Sequence, residues 1–226
     1  MTAVRKLAEK RLPTRIIVYL IGLFILATGS SLTIHSDLGV SAVMSLPFVV
    51  SLILDVYIGR VVTGIFIVTV FVQILLLRKD FKWINLTQII FVTIFGYFVD
   101  FAVFALGFIP QQPYIGRLAM LVSGAILISV GITFFMEAKL VPLPFEGMVA
   151  AFAQVVPTAK FHIWKIILDS AFVAIALILS FMFLRGLYGI REGTIFTAIT
   201  VGKLMPVARR VFLPIFKGVG ISGEGL

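Results

Sequence analysis

The 226-residue chain contains no cysteine. That excludes a disulfide framework, a thiolate nucleophile and any cysteine-based metal centre. Charge is almost as scarce: 13% of residues are charged, against about 25% in soluble domains. Acidic residues are the rarer sign, 10 Asp and Glu against 19 Lys and Arg. Histidine occurs only at His35 and His162, far apart in sequence and a poor basis for a metal site. What replaces these groups is apolar, with 61% hydrophobic residues, 22 of them Phe, and a mean hydropathy of +1.16. A soluble globular enzyme, a disordered chain and a fibrous chain are thereby excluded, and a polytopic membrane protein remains.

Catalytic signatures are missing as well. There is no G-x-x-x-x-G-K-[ST] loop, no G-x-S-x-G elbow and no H-E-x-x-H pair, so the expected role is not enzymatic and needs no cofactor or metal. The basic excess does not imply nucleic acid. Arg5, Lys6, Lys10, Arg11 and Arg15 precede the first apolar run, Arg78, Lys79 and Lys82 follow a later one, and Arg209 and Arg210 close the last. Basic residues at the edges of apolar runs are topology signals.

A hydrocarbon core of roughly 30 Å takes about 20 apolar helical residues. Ile16–Ile34, Val61–Leu77, Leu86–Phe108, Leu118–Met136 and Ile163–Leu184 meet that length. Thr194–Ala208 is shorter, with Lys203 placed to snorkel. The first run is too long for the apolar part of a signal peptide and lacks a small-residue cleavage site, so it reads as a retained helix. Two segments are interrupted: Ser41–Ile58 by Pro47, with Asp55 near its end, and Leu140–Pro157, which opens Val-Pro-Leu-Pro-Phe-Glu-Gly. Each reads equally as a short span, a half-helix or a re-entrant hairpin. The chain is expected to form one membrane domain over 1–226, with a flexible tail at 218–226.

Displaced by 102 residues, the sequence partly repeats itself. Arg15 falls on Arg117, Gly22 on Gly124, Gly29 on Gly131 and Leu38 on Leu140, and Gly96 lies near Gly202 after a small shift. Repeats at about 15–108 and 117–210 follow. Seven-residue spacing puts the Arg and both Gly of each repeat on one helix face. The glycines suit close helix packing and the Arg suits lipid phosphates. If the interrupted segments cross, each half has four spans and the repeats are parallel. If they do not, each half has three spans and the repeats are inverted. With a cytoplasmic N-terminus the first arrangement puts 13 Lys and Arg inside and 6 outside, the second 15 and 4. The second fits the positive-inside rule better, and matched broken segments are a mark of inverted repeats. The expected fold is an all-α membrane protein of three spanning helices plus one short broken segment per repeat, with four plus four as the alternative.

Ionisable groups in hydrocarbon are costly, about 2.5–3.5 kcal/mol each on insertion scales, and call for a reason. Glu146 stands between Pro142, Pro144 and Gly147, where the prolines leave backbone carbonyls free for a cation or amine; the alternative is a helix cap. Asp100 lies one turn after Gly96, a place for a ligand to approach backbone, or else pairs with an interfacial base. Asp169 lies one turn after Lys165 and reads as an internal ion pair. Asp55 reads as interfacial, Gln73, Gln88 and Ser170 as polar glue between helices, and His35 with Asp37 as a solvated turn.

Arg15, Gly22, Gly29, Leu38-Gly39, Gly96 and Leu143-Pro144-Phe145-Glu146-Gly147 resemble the bacterial YczE/YyaS/YitT membrane proteins over about residues 15–210. The family often follows Leu-Gly with a Gly-Pro-Trp-Asp-like run, where this chain has Val40-Ser41-Ala42-Val43. The resemblance implies a multi-pass inner-membrane protein, in a family suspected of transport, and brings no catalytic residues. The combined expectation is a carrier of a small polar or cationic solute, with a midplane site where the repeats meet. Glu146, Asp100, Asp169, Gly96, Pro144 and Gly147 would line it, with H⁺ or Na⁺ as coupling ion. The lipid bilayer is its medium and a homo-oligomer is compatible with it. A solute-binding subunit of a multi-component transporter and a non-transporting scaffold or regulator are the alternatives.

Overall fold

A computed structural model describes residues 12–218 and Ile221. The basic cluster Arg5, Lys6, Lys10 and Arg11, and the tail after Gly218 apart from Ile221, lie outside the described residues. The regular elements of the described residues are all helices, joined by short loops: α1 (Leu12–Ser36), α2 (Ala42–Leu54), α3 (Ile58–Leu77), α4 (Thr87–Leu106), α5 (Tyr114–Glu137), α6 (Pro144–Val155), α7 (Phe161–Leu179) and α8 (Glu192–Gly218). Five helical stretches are long and apolar enough to cross a membrane: Leu12–Ser36, Ile58–Asp80, Trp83–Leu106, Tyr114–Glu137 and Phe161–Leu184. The chain is accordingly an all-α integral membrane protein.

Helix α8 is longer than the expected Thr194–Ala208 segment. It continues through Pro206 to Gly218 and also contains Pro214. In α2, Pro47 does not interrupt the helix but sits inside it as the sixth residue. At that position the ring costs one ladder bond, to the carbonyl four residues back, in a helix that is already short. At about 1.5 Å per residue, α2 and α6 are about 20 and 18 Å long, too short to cross alone.

The centre is the antiparallel pair α1 and α5. The apolar stretch of α1 is 56% buried and that of α7 only 17%, so α1 lies at the core and α7 at the rim. The glycine ladders explain how close the central pair comes. A Cβ on Gly29 would stand 2.8 Å from the Gly124 carbonyl oxygen, and one on Gly131 would stand 2.8 Å from that of Gly22. Each ladder therefore packs on the other, backbone against backbone.

Contacts place several helix ends relative to one another. Ser36 and Asp37, at the end of α1, meet Arg117 at the start of α5 and Arg191 just before α8. At the opposite end Tyr19 reaches Val141, and Glu137 pairs with Arg209 at 2.6 Å. Beyond the end of α2, Asp55 and Tyr57 share a crevice with Ile34 and Asp100 at the Asp37 end. Beyond the end of α6, Val156 accepts a bond from Trp164, in the first turn of α7.

Arg117 is engaged within the protein rather than left free for the headgroup role expected for it. Arg117 donates from Nε to the Ser36 carbonyl at 2.7 Å, and from its terminal nitrogen to the Asp37 carbonyl and carboxylate, both at 2.6 Å. Its partner is the protein's own reversing loop, because the end of α1 leaves carbonyls without helical donors. The Nε of Arg15 is buried with no hydrogen-bond partner in the described residues.

Candidate functional site

Two segments with unlike starts, Ser41 before α2 and Leu143 before α6, hold extended backbone and then turn into helix. Pro144 is the first residue of α6, where a missing N–H costs nothing, and Glu146 is the third, where an acid suits the positive end of the helix. Ser41, Ala42, Leu143 and Glu146 line one cavity of about 320 Å³, together with Lys165 and Asp169 from α7. The rest of its wall is almost entirely apolar, contributed by α1, α3, α4, α5 and α8.

Glu146 is the exceptional atom group. Its Oε2 is buried and has no hydrogen-bond partner among the described residues. Lys165 and Asp169 lie close enough to act on it electrostatically. Lys165 Nζ binds Asp169 at 3.2 Å, one turn along α7, which is the ion pair expected from the spacing. The same ammonium stands 4.9 Å from the centroid of the Phe145 ring. Phe145 is held in place by Phe172, whose ring centroid is 4.9 Å away, edge to face. One ammonium thus sits among two carboxyl groups and an aromatic face.

The six candidate residues fall into different places. Glu146 and Asp169 share the cavity. Pro144 and Gly147 lie beside it, but their backbone is engaged elsewhere. The Pro144 carbonyl accepts from Gln73 Nε2 at 2.9 Å, and a Cβ on Gly147 would stand 2.6 Å from Gln73 Oε1. Gln73 is itself tied to Gln88 at 3.2 Å. The Val141 carbonyl accepts from the Tyr19 hydroxyl at 3.1 Å. Two carbonyls of the proline segment, those of Val141 and Pro144, are therefore taken by buried side-chain donors, which need partners as much as the carbonyls do.

Asp100 and Gly96 belong to another place. Asp100 Oδ1 accepts the Gly59 N–H at 2.6 Å and so caps α3, whose own residue Tyr57 supplies no cap. A Cβ on Gly96 would stand 2.5 Å from the Gly59 carbonyl oxygen. Gly96 serves a helix crossing, and no space is left there for a ligand. Asp100 also borders the crevice at the Asp37 end, with Asp55, Tyr57 and Arg60. Gln73 and Gln88 are the buried interhelical pair expected of them, whereas Ser170 is exposed and bridges nothing to the core. His35 belongs to the last turn of α1 rather than to a loop, and its Nδ1 lies 3.0 Å from the Ser31 carbonyl oxygen. Among the described residues no three His, Asp or Glu side chains converge as a metal site.

Lys165 is the site residue that sequence reasoning missed. It was legible only as the neutraliser of Asp169; nothing in the spacing between Glu146 and Lys165 announces that they face one cavity. No curated protein and no solved structure matches the chain. A family model described as a family of unknown function (DUF6198) matches residues 13–210. That match takes in every helix lining the cavity, and the chain belongs to the DUF6198 family.

Proposed function

We propose that the protein is a membrane carrier built from two inverted repeats, which binds a small polar or cationic solute between them. Several features support the repeat. Helices α2 and α6 begin at 42 and 144, the displacement found in the sequence. Asp37 and Lys139, related by the same displacement, both take left-handed backbone, with φ of 49° and 51°. The glycine contacts are reciprocal, Gly29 on Gly124 and Gly131 on Gly22. Residues from equivalent positions line the cavity in pairs: Leu26 with Ile128, Ser30 with Ile132, and Met44 with Glu146. Neither short helix crosses in this reading, and α8, which is not among the five most apolar stretches, serves as the sixth span, so each half contributes three. The N-terminus is cytoplasmic in a bacterial inner membrane, and the kinship with YczE/YyaS/YitT-like proteins is part of the same reading.

The observation that carries the function is the bare Oε2 of Glu146 at the start of a half-helix, in a cavity also reached by the start of the other. A buried acceptor left without a partner costs about 1–3 kcal/mol, more if charged, and a scaffold has no use for it. Short helices that begin near mid-depth are the recurrent way in which carriers face a solute with backbone and charge. No chemical step is needed at this site. In proteoliposomes loaded with a panel of labelled amines, amino acids and polyols, wild-type protein should pass at least one solute that empty vesicles retain. Glu146→Gln should lower that flux at least tenfold. Equal flux in the mutant removes Glu146 from the mechanism.

A further inference from the structure

Resting on that reading, we infer that the solute carries one ammonium group on an apolar body and is held by Glu146. The cavity already contains one ammonium group. Lys165 Nζ rests against Asp169 at 3.2 Å and over the Phe145 ring at 4.9 Å. A carboxylate beside an aromatic face is the arrangement that binds ammonium groups from outside a protein. Here it is filled by an ammonium on a tether, which shows what the local chemistry accepts.

The charge count then fixes the visitor. Two carboxyl groups, Glu146 and Asp169, face one ammonium, Lys165. Asp169 takes both close contacts from that ammonium, at 3.2 and 3.3 Å. Glu146 keeps an acceptor with no donor, and one further positive charge balances the group. An anion would meet Lys165 only by breaking its pair and would be repelled by Glu146. A neutral polyol would strand its remaining hydroxyls against an apolar wall. A dication has no second free carboxyl in the cavity to meet. The position equivalent to Glu146 in the first half is Met44, which also lines the cavity, and Phe66, Phe95 and Ile132 continue the apolar surface. One polar end against Glu146 and an apolar remainder against these side chains fits the space. At about 320 Å³ the cavity is at the small end of the roughly 300–1,000 Å³ typical of ligand pockets, which suits a compact monoamine.

The test uses three single-ring probes of similar size on the purified full-length protein in detergent: benzylammonium, benzyl alcohol and benzoate. Ligand that binds the folded state raises its melting temperature. Benzylammonium should raise it in a saturable way, and the other two should not. Glu146→Gln should weaken the apparent Kd for benzylammonium at least tenfold. Should Glu146→Gln misfold, the wild-type chain still answers. Dicyclohexylcarbodiimide should modify Glu146, read by peptide mass, and benzylammonium should slow that modification several-fold. Stabilisation by benzoate that Glu146→Gln leaves intact would overturn the ammonium assignment and leave the carrier reading standing. Carbodiimide modification of Glu146 that benzylammonium does not slow, or no saturable stabilisation by it, also overturns the assignment. Absence of Glu146-dependent flux for the whole solute panel is the separate result that removes the carrier reading.

Discussion

The crossing of α1 and α5 can be probed with one methyl group. In Gly29→Ala the new Cβ would lie 2.7 Å from the Ile128 nitrogen, 2.8 Å from the Gly124 oxygen and 2.9 Å from the Leu127 Cβ. Two of these are backbone atoms of the facing helix and cannot rotate away. Ordinary contact begins near 3.4 Å, so the helices must part by about 0.5–0.7 Å at this level. Forcing a methyl into a packed contact costs about 1–3 kcal/mol. Against that, Ala is better than Gly in a helix by up to about 1 kcal/mol. The net expectation is a loss of about 1–2 kcal/mol for Gly29→Ala. Gly64 is the control, also helical but with open space around its Cβ position; Gly64→Ala should be neutral or slightly stabilising. Because Gly29 and Gly124 share one contact, Gly29→Ala/Gly124→Ala should lose less than the sum of the single variants. The assay is unfolding by sodium dodecyl sulfate in mixed micelles, followed by the fluorescence of Trp83 and Trp164. Equal stability of Gly29→Ala and Gly64→Ala would refute the reasoning.

Two further expectations concern the support of the site and the path of the chain. Gln73→Leu leaves the Pro144 carbonyl and Gln88 without their partner in a buried place, and should cost about 1–3 kcal/mol in the same assay. Losses for Gln73→Leu and Gln88→Leu that simply add would mean that the amide pair is not coupled. Since the native chain has no cysteine, single cysteines report position cleanly. In intact cells a membrane-impermeant maleimide should label Asp55→Cys and Gln111→Cys, and should reach Lys79→Cys only after permeabilisation. Labelling of Lys79→Cys from outside, with Asp55→Cys protected, would favour four spans in each half.

Much of the architecture can be read from the amino acids because lipid permits few solutions. Apolar runs near 20 residues become helices, and Ile163–Leu184 in the sequence is nearly Phe161–Leu184 in the structure. The glycine ladders were legible as packing faces because their seven-residue spacing is a helical property. That one ladder meets the other was not, since sequence gives a face but not its partner. Pro47 misled for a local reason: a proline within a short helix costs a single bond and does not end it. The site was half legible. Glu146 was marked by its prolines, and the Asp169–Lys165 pair by helical spacing. The use of the Pro144 carbonyl by Gln73, 71 residues away, depends on tertiary contact alone. The same is true of Asp100, whose partner Gly59 is 41 residues distant. Polar groups buried in an apolar bundle find each other across the fold, and local spacing carries no trace of it.

The claim at the centre of this account is that water and a positive charge reach Glu146. Gly202 lines the same cavity, and a Cβ there would meet nothing within 4 Å, so Gly202→Cys should fold. Its rate of modification by a cationic and by an anionic methanethiosulfonate of similar size should be measured with Glu146 present and with Glu146→Gln. The account predicts faster reaction with the cationic reagent, and loss of that preference in the Gln variant. An unreactive thiol, or a charge preference that persists without Glu146, would contradict it.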